Sequence, residues 1–425
     1  MSADVKIFTD MVEESAVEQI NHVASLPAFA EAKIRIMPDV HAGKGCVCGF
    51  TADLGDKVVP NLVGVDIGCG CLATDVGGIE IDFAKLDRVI KRQIPSGMKV
   101  NGRDVVGDRR DYVACSCDPK DCQAAFTEKE LKYFDQSLMS LGCGNHFLSI
   151  EKSEKTGHCW LIVHCGSRNF GKKVCEWWQD IALQNLTANA CGMSKAEALK
   201  KAIEEKKAAG KTSEIQDAVK AINDKYDAEE KLLDRDLAWL EGASRDGYIH
   251  DMKIAQRWAA LNRKKIAEHI CRAMDWTAVD QFDTVHNYLG DDNIIRKSAI
   301  AAYAGQKVLI PMNMRDGSVI AVGKGNEDWN FSAPHGAGRL MSRAKARASL
   351  SADDFKKTME GIYTTTADED TLDEAPEAYK PMEKIIEQVT DTVDIAEVLK
   401  PVYNFKAAET PCWKTKKKSN SVLSI

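Results

Sequence analysis

An α+β fold is predicted from two features of the sequence. Strand-like and helix-like runs come in separate blocks and not in regular alternation, and glycine, proline and aspartate cut the β-branched text into short pieces. With 425 residues and 44% hydrophobic content, the chain can build a sizeable core, as one large domain or two to three ordinary ones. Residues 33–76 are β-rich, and the run at 57–65 (Lys57-Val-Val-Pro-Asn-Leu-Val-Gly-Val65) reads as strands joined by tight loops. Between 194 and 242 the composition turns to Ala, Lys, Glu and Leu. There Ile215, Val219, Ile222 and Tyr226 recur at helical spacing, so the segment is an amphipathic helical insertion. Its charge run is read as a solvated face, with RNA contact as the alternative. A second helical stretch at 248–274 leads into Phe282-Asp-Thr-Val-His-Asn, and strands with glycine turns follow at 308–325. The tail at about 411–425 is basic and poor in apolar residues, the composition of a frayed end.

A net charge of −7 argues against a protein that coats nucleic acid by neutralising phosphate, but not against a local RNA site built on carboxylate-held cations. The first residues lack a basic stretch followed by an apolar one, and no run of 18 apolar residues occurs. A cytoplasmic protein with no membrane partner is expected. Fourteen cysteines in such a chain read as thiols or metal ligands, not as a disulfide scaffold.

Four segments set a potential metal ligand beside Gly or Asn, where the backbone turns sharply. They are Val63-Gly-Val-Asp-Ile-Gly-Cys-Gly70, Leu141-Gly-Cys-Gly-Asn-His-Phe147, Val163-His-Cys-Gly-Ser-Arg-Asn-Phe-Gly171 and Thr284-Val-His-Asn-Tyr-Leu289. Together they offer Asp66, Cys69, His146, His164 and His286, a mixed O, S and N set suited to one or two divalent transition metals; ligand softness alone favours zinc. Taken singly, each His could be a hydrogen-bonded core residue and the Cys a small hydrophobe. What favours ligation is that the design recurs four times in a chain with nine histidines. A fifth segment, 323–339, sets His335 between Pro334 and Gly336, followed by Ala337, Gly338 and Arg339. It reads as a nucleophile or general base beside a phosphate cradle, or as a structural turn histidine. Arg168 and Arg339 are phosphate-contact candidates by guanidinium geometry.

On these five segments the chain resembles the RtcB family of RNA ligases. The resemblance extends to Met37-Pro-Asp-Val-His-Ala-Gly-Lys-Gly45, Arg296-Lys-Ser-Ala299, Glu374-Ala-Pro-Glu-Ala-Tyr-Lys380 and Lys400-Pro-Val-Tyr-Asn-Phe-Lys406. Because it runs nearly end to end, it implies a single catalytic domain over 1–425, with central curved β-sheets, peripheral helices and the helical insertion. It also implies GTP- and Mn²⁺-dependent joining of an RNA 3′-phosphate or 2′,3′-cyclic phosphate end to a 5′-hydroxyl end, through GMP carried on His335. Two Mn²⁺ are implied, one held by Cys69, His146 and His164, the other by Asp66, Cys69 and His286; this overrides the zinc expectation. Tyr379 is implied to stack on guanine and Lys406 to hydrogen-bond it, with Asn145 and Asn287 near the phosphates and ribose, and Asn313 and the 336–339 turn completing the nucleotide contacts. RNA and GTP are the implied partners, with an accessory activating protein admitted.

The chain departs from the family pattern at three places. Ser149 stands where a glutamate follows the first metal-binding histidine by three residues, Pro311-Met-Asn-Met-Arg-Asp-Gly317 replaces Pro-Gly-Ser-Met-Gly, and Ser298 replaces a glycine. A metal-dependent phosphoesterase and an inactive RNA-repair subunit are the alternative functions; His335 argues against the first, the complete ligand set against the second. The trio Cys115, Cys117 and Cys122 is expected to be a surface loop of reduced thiols.

Overall fold

In the computed structural model, which describes residues 3–102, 105 and 109–408, fourteen strands are found among the described residues. They are β1 (Asp4–Ile7), β2 (Lys33–His41), β3 (Cys48–Asp53), β4 (Lys57–Val58), β5 (Gly70–Asp75), β6 (Phe147–Ser153), β7 (Cys159–Cys165), β8 (Leu240–Glu241), β9 (Asp280–Leu289), β10 (Ile294–Ala301), β11 (Lys307–Asn313), β12 (Gly317–Gly323), β13 (Ser332–Pro334) and β14 (Val393–Lys406). The basic tail at 411–425 lies outside the described residues.

Twelve of these strands form a continuous sheet in the order β1-β2-β3-β10-β9-β5-β7-β6-β14-β12-β11, with β13 added on β10; β4 and β8 pair apart from it. β1 runs parallel to β2 and the other pairings are antiparallel. The sheet curls back on itself, since the Leu309 amide of β11 donates to Thr284 Oγ1 of β9 at 3.0 Å. The seven strands from β9 to β11 thereby enclose a half-barrel. Because successive strand side chains alternate faces, one set (Cys71, Ala73, Phe147, Trp160, Ile162, Leu309) fills its interior. The opposite set (Leu72, Leu148, Ile150, Leu161, Val163) packs on Ile266, Ala267 and Ile270 of the helix Gly242–Met274. This is the α+β architecture expected, with one long curved sheet in place of several.

The helix Gly242–Met274 covers the predicted 248–274 stretch and starts six residues earlier. It buries Trp258 and Arg263 completely. Between 194 and 242 the chain makes two helices, Lys195–Ala208 and Ile215–Glu230. The first opens on a reciprocal cap in which Ser194 and Glu197 each satisfy the other's backbone amide. Ile215, Val219 and Ile222 are half-buried and Tyr226 is buried, so the stripe faces inward while the charges face solvent. At 57–65 the strand expectation fails: only Lys57–Val58 is extended, and Pro60–Val63 is a helical turn. Pro60 is the reason, since its fixed φ and missing N–H suit a first helical position. The cysteine trio is not a surface loop either, because Cys117 is fully buried in the main core. No described helix is long and apolar enough to cross a membrane.

Candidate metal and nucleotide site

The half-barrel's alternation places the site. Cys69, just before β5, continues the inward series of Cys71 and Ala73, and His164 continues that of Trp160 and Ile162. His286 on β9, Phe147 on β6 and Lys406 on β14 reach the same end through the registers Gly70↔Val285, Phe147↔His164 and Lys406↔Phe147. Apolar residues thus fill the closed part of the barrel while N, S and O donors crowd its mouth.

There Cys69 Sγ lies 3.2 Å from His146 Nε2 and 3.4 Å from His164 Nε2, and these three buried donors lie within 4.8 Å of one another. His286 Nε2 is 3.3 Å from His164 Nε2, and Asp66 Oδ2 is 2.9 Å from His146 Nε2. Asp66 and His286 therefore flank the cluster at different members. Among the described residues, the set Asp66, Cys69 and His286 is not drawn together as closely as the first three.

Burial, then the neighbouring imidazoles, pushes His164 and His286 well below the ordinary histidine range, so both rings are neutral and offer lone pairs. Burial opposes ionisation of Asp66, yet His146 and Arg168 outweigh it and hold the carboxyl down. Burial and the Asp66 charge push the Cys69 thiol well up, the reverse of what a ligating thiolate needs unless a cation sits among the donors. A convergent set of one thiol, neutral imidazoles and a carboxylate fits a divalent metal.

Outer contacts fix these donors. The His164 Nδ1 faces the Asn145 carbonyl at 3.1 Å, which turns Nε2 inward. Arg263, buried beneath, donates to the carbonyls of Gly68 (2.8 Å) and Cys165 (2.7 Å) and forks onto Asp283. Two glycines make the room: a Cβ at Gly142 would strike the His146 ring, and one at Gly166 would strike the Asp66 carboxylate.

His335 stands next in the row, its ring centroid 4.8 Å from that of His286. Asp39 Oδ2 accepts from both its Nδ1 (2.6 Å) and its backbone amide (3.1 Å). A carboxylate on Nδ1–H leaves the lone pair on Nε2. Asp39 is itself fully buried, on a strand that Lys380 pins by donating to the carbonyls of Met11, Pro38 and Val40 at 2.9 Å each.

A cavity of about 710 Å³ opens beside His335, within the range of small-molecule sites. Gly336, Ala337, Gly338, Arg339, Tyr379, Lys406, Asn145 and Asn313 line it. Glu374 organises one wall: Tyr379 Oη donates to it at 2.6 Å, Lys406 Nζ lies at 2.7 Å, and Arg343 and Arg339 lie at 2.8 and 3.2 Å. Burial opposes its charge, but Lys406, Arg343 and Arg339 hold its carboxyl down at about 2. Several nucleotide-contact candidates prove to be engaged within the protein. Asn313 spends its amide inside the 313–316 turn, bonding Asp316 and the amides of Arg315 and Asp316. Asn287, with φ of +87°, takes the Ser298 amide and donates to the Asp66 carbonyl, so it staples the loop that carries Asp66 and Cys69. Every nitrogen of the Arg339 guanidinium donates to a protein acceptor, and the group lies 5.1 Å above the Tyr379 ring. Arg168 donates to Ser140 and to the Gly97 carbonyl, so its fork is not aimed into the cavity. Asn145 remains exposed at the rim.

Sequence reading passed over Asp39, Glu374, Arg343, Glu151 and the cross-strand pair His41 and Cys48. Asp39, His41 and Glu374 lay inside strings already singled out, but nothing in a linear string says that Asp39 meets a histidine 296 residues away. Against burial, the His41 charge holds the Cys48 thiol down to about 6, in the cavity wall.

A family model described as tRNA-splicing ligase RtcB matches residues 19–407. The chain is 29% identical to the RNA-splicing ligase RtcB of Escherichia coli K12, across 94% of this chain and 97% of that protein. It is 28% identical to the tRNA-splicing ligase RtcB of Archaeoglobus fulgidus (89% and 88% covered) and 26% identical to that of Thermococcus kodakarensis (93% and 91%).

Proposed function

Since the chain belongs to the RtcB family and is an RNA ligase, we propose that it joins RNA 3′-phosphate or 2′,3′-cyclic phosphate ends to 5′-hydroxyl ends, using GTP and two Mn²⁺. The observation that carries the mechanism is His335, held by Asp39 with Nε2 free beside the donor cluster and the cavity.

Cys69, His146 and His164 would hold one metal and Asp66, Cys69 and His286 the other. Bound there, the metals neutralise phosphate charge and polarise phosphorus. His335 Nε2 attacks the α-phosphorus of GTP, the bond to pyrophosphate breaks, and Asp39 stabilises the charge arising on the ring. An oxygen of the RNA 3′-phosphate then displaces the histidine, taking GMP. The 5′-hydroxyl attacks the activated 3′-phosphate and GMP leaves, which closes the strand. A cyclic phosphate is first opened by water to the 3′-phosphate. Tyr379 and Lys406 hold the base, and the Gly336 to Gly338 turn presents amides to phosphate. A phosphoesterase needs the metals but has no use for a guanylylated histidine.

The test is incubation with α-labelled GTP and Mn²⁺, followed by denaturing electrophoresis. Label on the wild-type chain and its loss in His335→Ala are expected; a chain that takes no label, or a His335→Ala variant that keeps it, refutes the reading. In ligation assays, a requirement for a 5′-phosphate in place of a 5′-hydroxyl also refutes it.

A further inference from the structure

The cavity floor holds polar atoms that the proposed mechanism leaves unused. Phe147, Ser149 and Glu151 alternate on β6 toward the cavity, and Glu151 lines it while only 2% exposed. Its Oε1 accepts from the Ser149 hydroxyl at 2.8 Å, the Ser318 hydroxyl and amide lie against the same carboxylate, and its buried Oε2 makes no well-aligned hydrogen bond. Asn404 lines the same floor, opposite Ser149 in the β6–β14 register, and its buried Oδ1 is likewise unpartnered. Among the described residues Glu151 has no ion pair, although Lys406 stands on the same wall, committed to Glu374. A carboxylate buried in a cavity wall, with hydroxyl and amide neighbours but no cation, keeps acceptor capacity for donors brought by a ligand.

Guanine supplies that donor set. Its Watson–Crick edge carries N1–H and N2–H₂ side by side, whereas adenine and cytosine set an acceptor beside their amino group and uracil flanks a single N–H with carbonyls. An ionised carboxylate, which accepts at both oxygens, matches guanine and repels the other three.

We propose that Glu151 is the specificity-determining residue for guanine in this chain, taking its N1–H and N2–H₂ edge, with Ser149 as the positioning residue that fixes the carboxylate. This explains how the chain accommodates Ser149 in place of a glutamate: the carboxylate is supplied two residues farther along the same strand face. Burial pushes the Glu151 carboxyl up to about 7, which lets it sit there without a cation and ionise when two donors arrive.

The inference rests on the guanine-nucleotide reading, and its test is independent of covalent labelling. Binding of GDP, IDP and ADP to the full chain with Mn²⁺ is measured by calorimetry; IDP is GDP without the N2 amino group. The wild type is expected to bind GDP at least roughly 10-fold more tightly than IDP and to reject ADP, since a hydrogen bond to a charged group is lost with the amino group. Glu151→Gln, whose amide cannot accept at both positions, is expected to bring GDP and IDP within about twofold of each other. Equal GDP and IDP binding by the wild type, or an undiminished preference in a cooperatively melting Glu151→Gln, overturns the proposal. Should Glu151→Gln fail to fold, the wild-type ratio alone decides. Absence of histidine labelling would refute the ligase mechanism and leave this ratio standing.

Discussion

Asp39→Asn is the most direct probe of how this site makes a nucleophile. Asp39 accepts two hydrogen bonds through Oδ2, from His335 Nδ1 at 2.6 Å and from the His335 amide at 3.1 Å. Asparagine keeps the volume and can keep one neutral hydrogen bond. Replacing a charge-assisted bond by a neutral one forfeits about 1–2 kcal/mol. That stabilisation matters most when the attacking ring acquires positive charge, so it comes off the transition state: each 1.36 kcal/mol is about tenfold in rate. The amide can also present its NH₂ to Nδ1, which selects the tautomer with the proton on Nε2 and blocks attack. Wrong-tautomer effects in histidine triads reach about 10⁴, so the expected loss lies between roughly 10-fold and 10⁴-fold. The assay is the single-turnover rate of label transfer from α-labelled GTP, with a thermal melt to confirm folding. A folded Asp39→Asn that labels at the wild-type rate would refute the assignment of Asp39 as the residue that orients His335.

Three further outcomes are expected. Arg263→Ala removes the fork under the metal loops and strands the Gly68 and Cys165 carbonyls, so denaturant unfolding should show a loss of about 3 kcal/mol, and equilibrium dialysis at least roughly 10-fold weaker Mn²⁺ binding. Glu374 and Glu151 should give opposite pH slopes. Lys406 and the two arginines, outweighing burial, depress the Glu374 carboxyl to about 2, so its contribution is present above the unfolded carboxyl value and lost as pH falls toward 2; Glu374→Gln should flatten that loss in acid unfolding curves. Burial raises Glu151 to about 7, so stability falls as pH rises from the unfolded value through 7, and Glu151→Gln should be more stable than wild type at pH 8 and not at pH 4. Ser298 sits at φ of +52°, a region that costs a non-glycine residue about 1 kcal/mol, so Ser298→Gly should raise stability by up to that amount in the same unfolding assay.

The block order of strands and helices, the insertion's inward stripe and the ligand-bearing segments were legible because they are written in local periodicity and in Gly or Asn beside Cys, His and Asp. Local propensity misled at 57–65, where a β-branched run yields to Pro60 and forms a helical turn. It misled again at Cys117, because a polar-looking loop can still be packed under a long helix. Asn313 and Arg339 do line the cavity, but the neighbours that take their hydrogen bonds are ones no linear reading can supply.

By itself, then, the sequence determined which residue types could bind metal or act as a nucleophile, and that Asp66, Cys69, His146 and His335 stand in turns, while His164 and His286 lie within β7 and β9. Only the tertiary structure decided how they meet: the sheet curls until β11 touches β9, and alternate side chains bring donors on β7, β9 and β14, and just before β5 and β6, to one mouth. The same curl sets Asp39 against His335 and places Glu151 in the cavity wall with Ser149 beside it. The physical reason is that strand alternation is a local property, whereas curvature and register are collective ones.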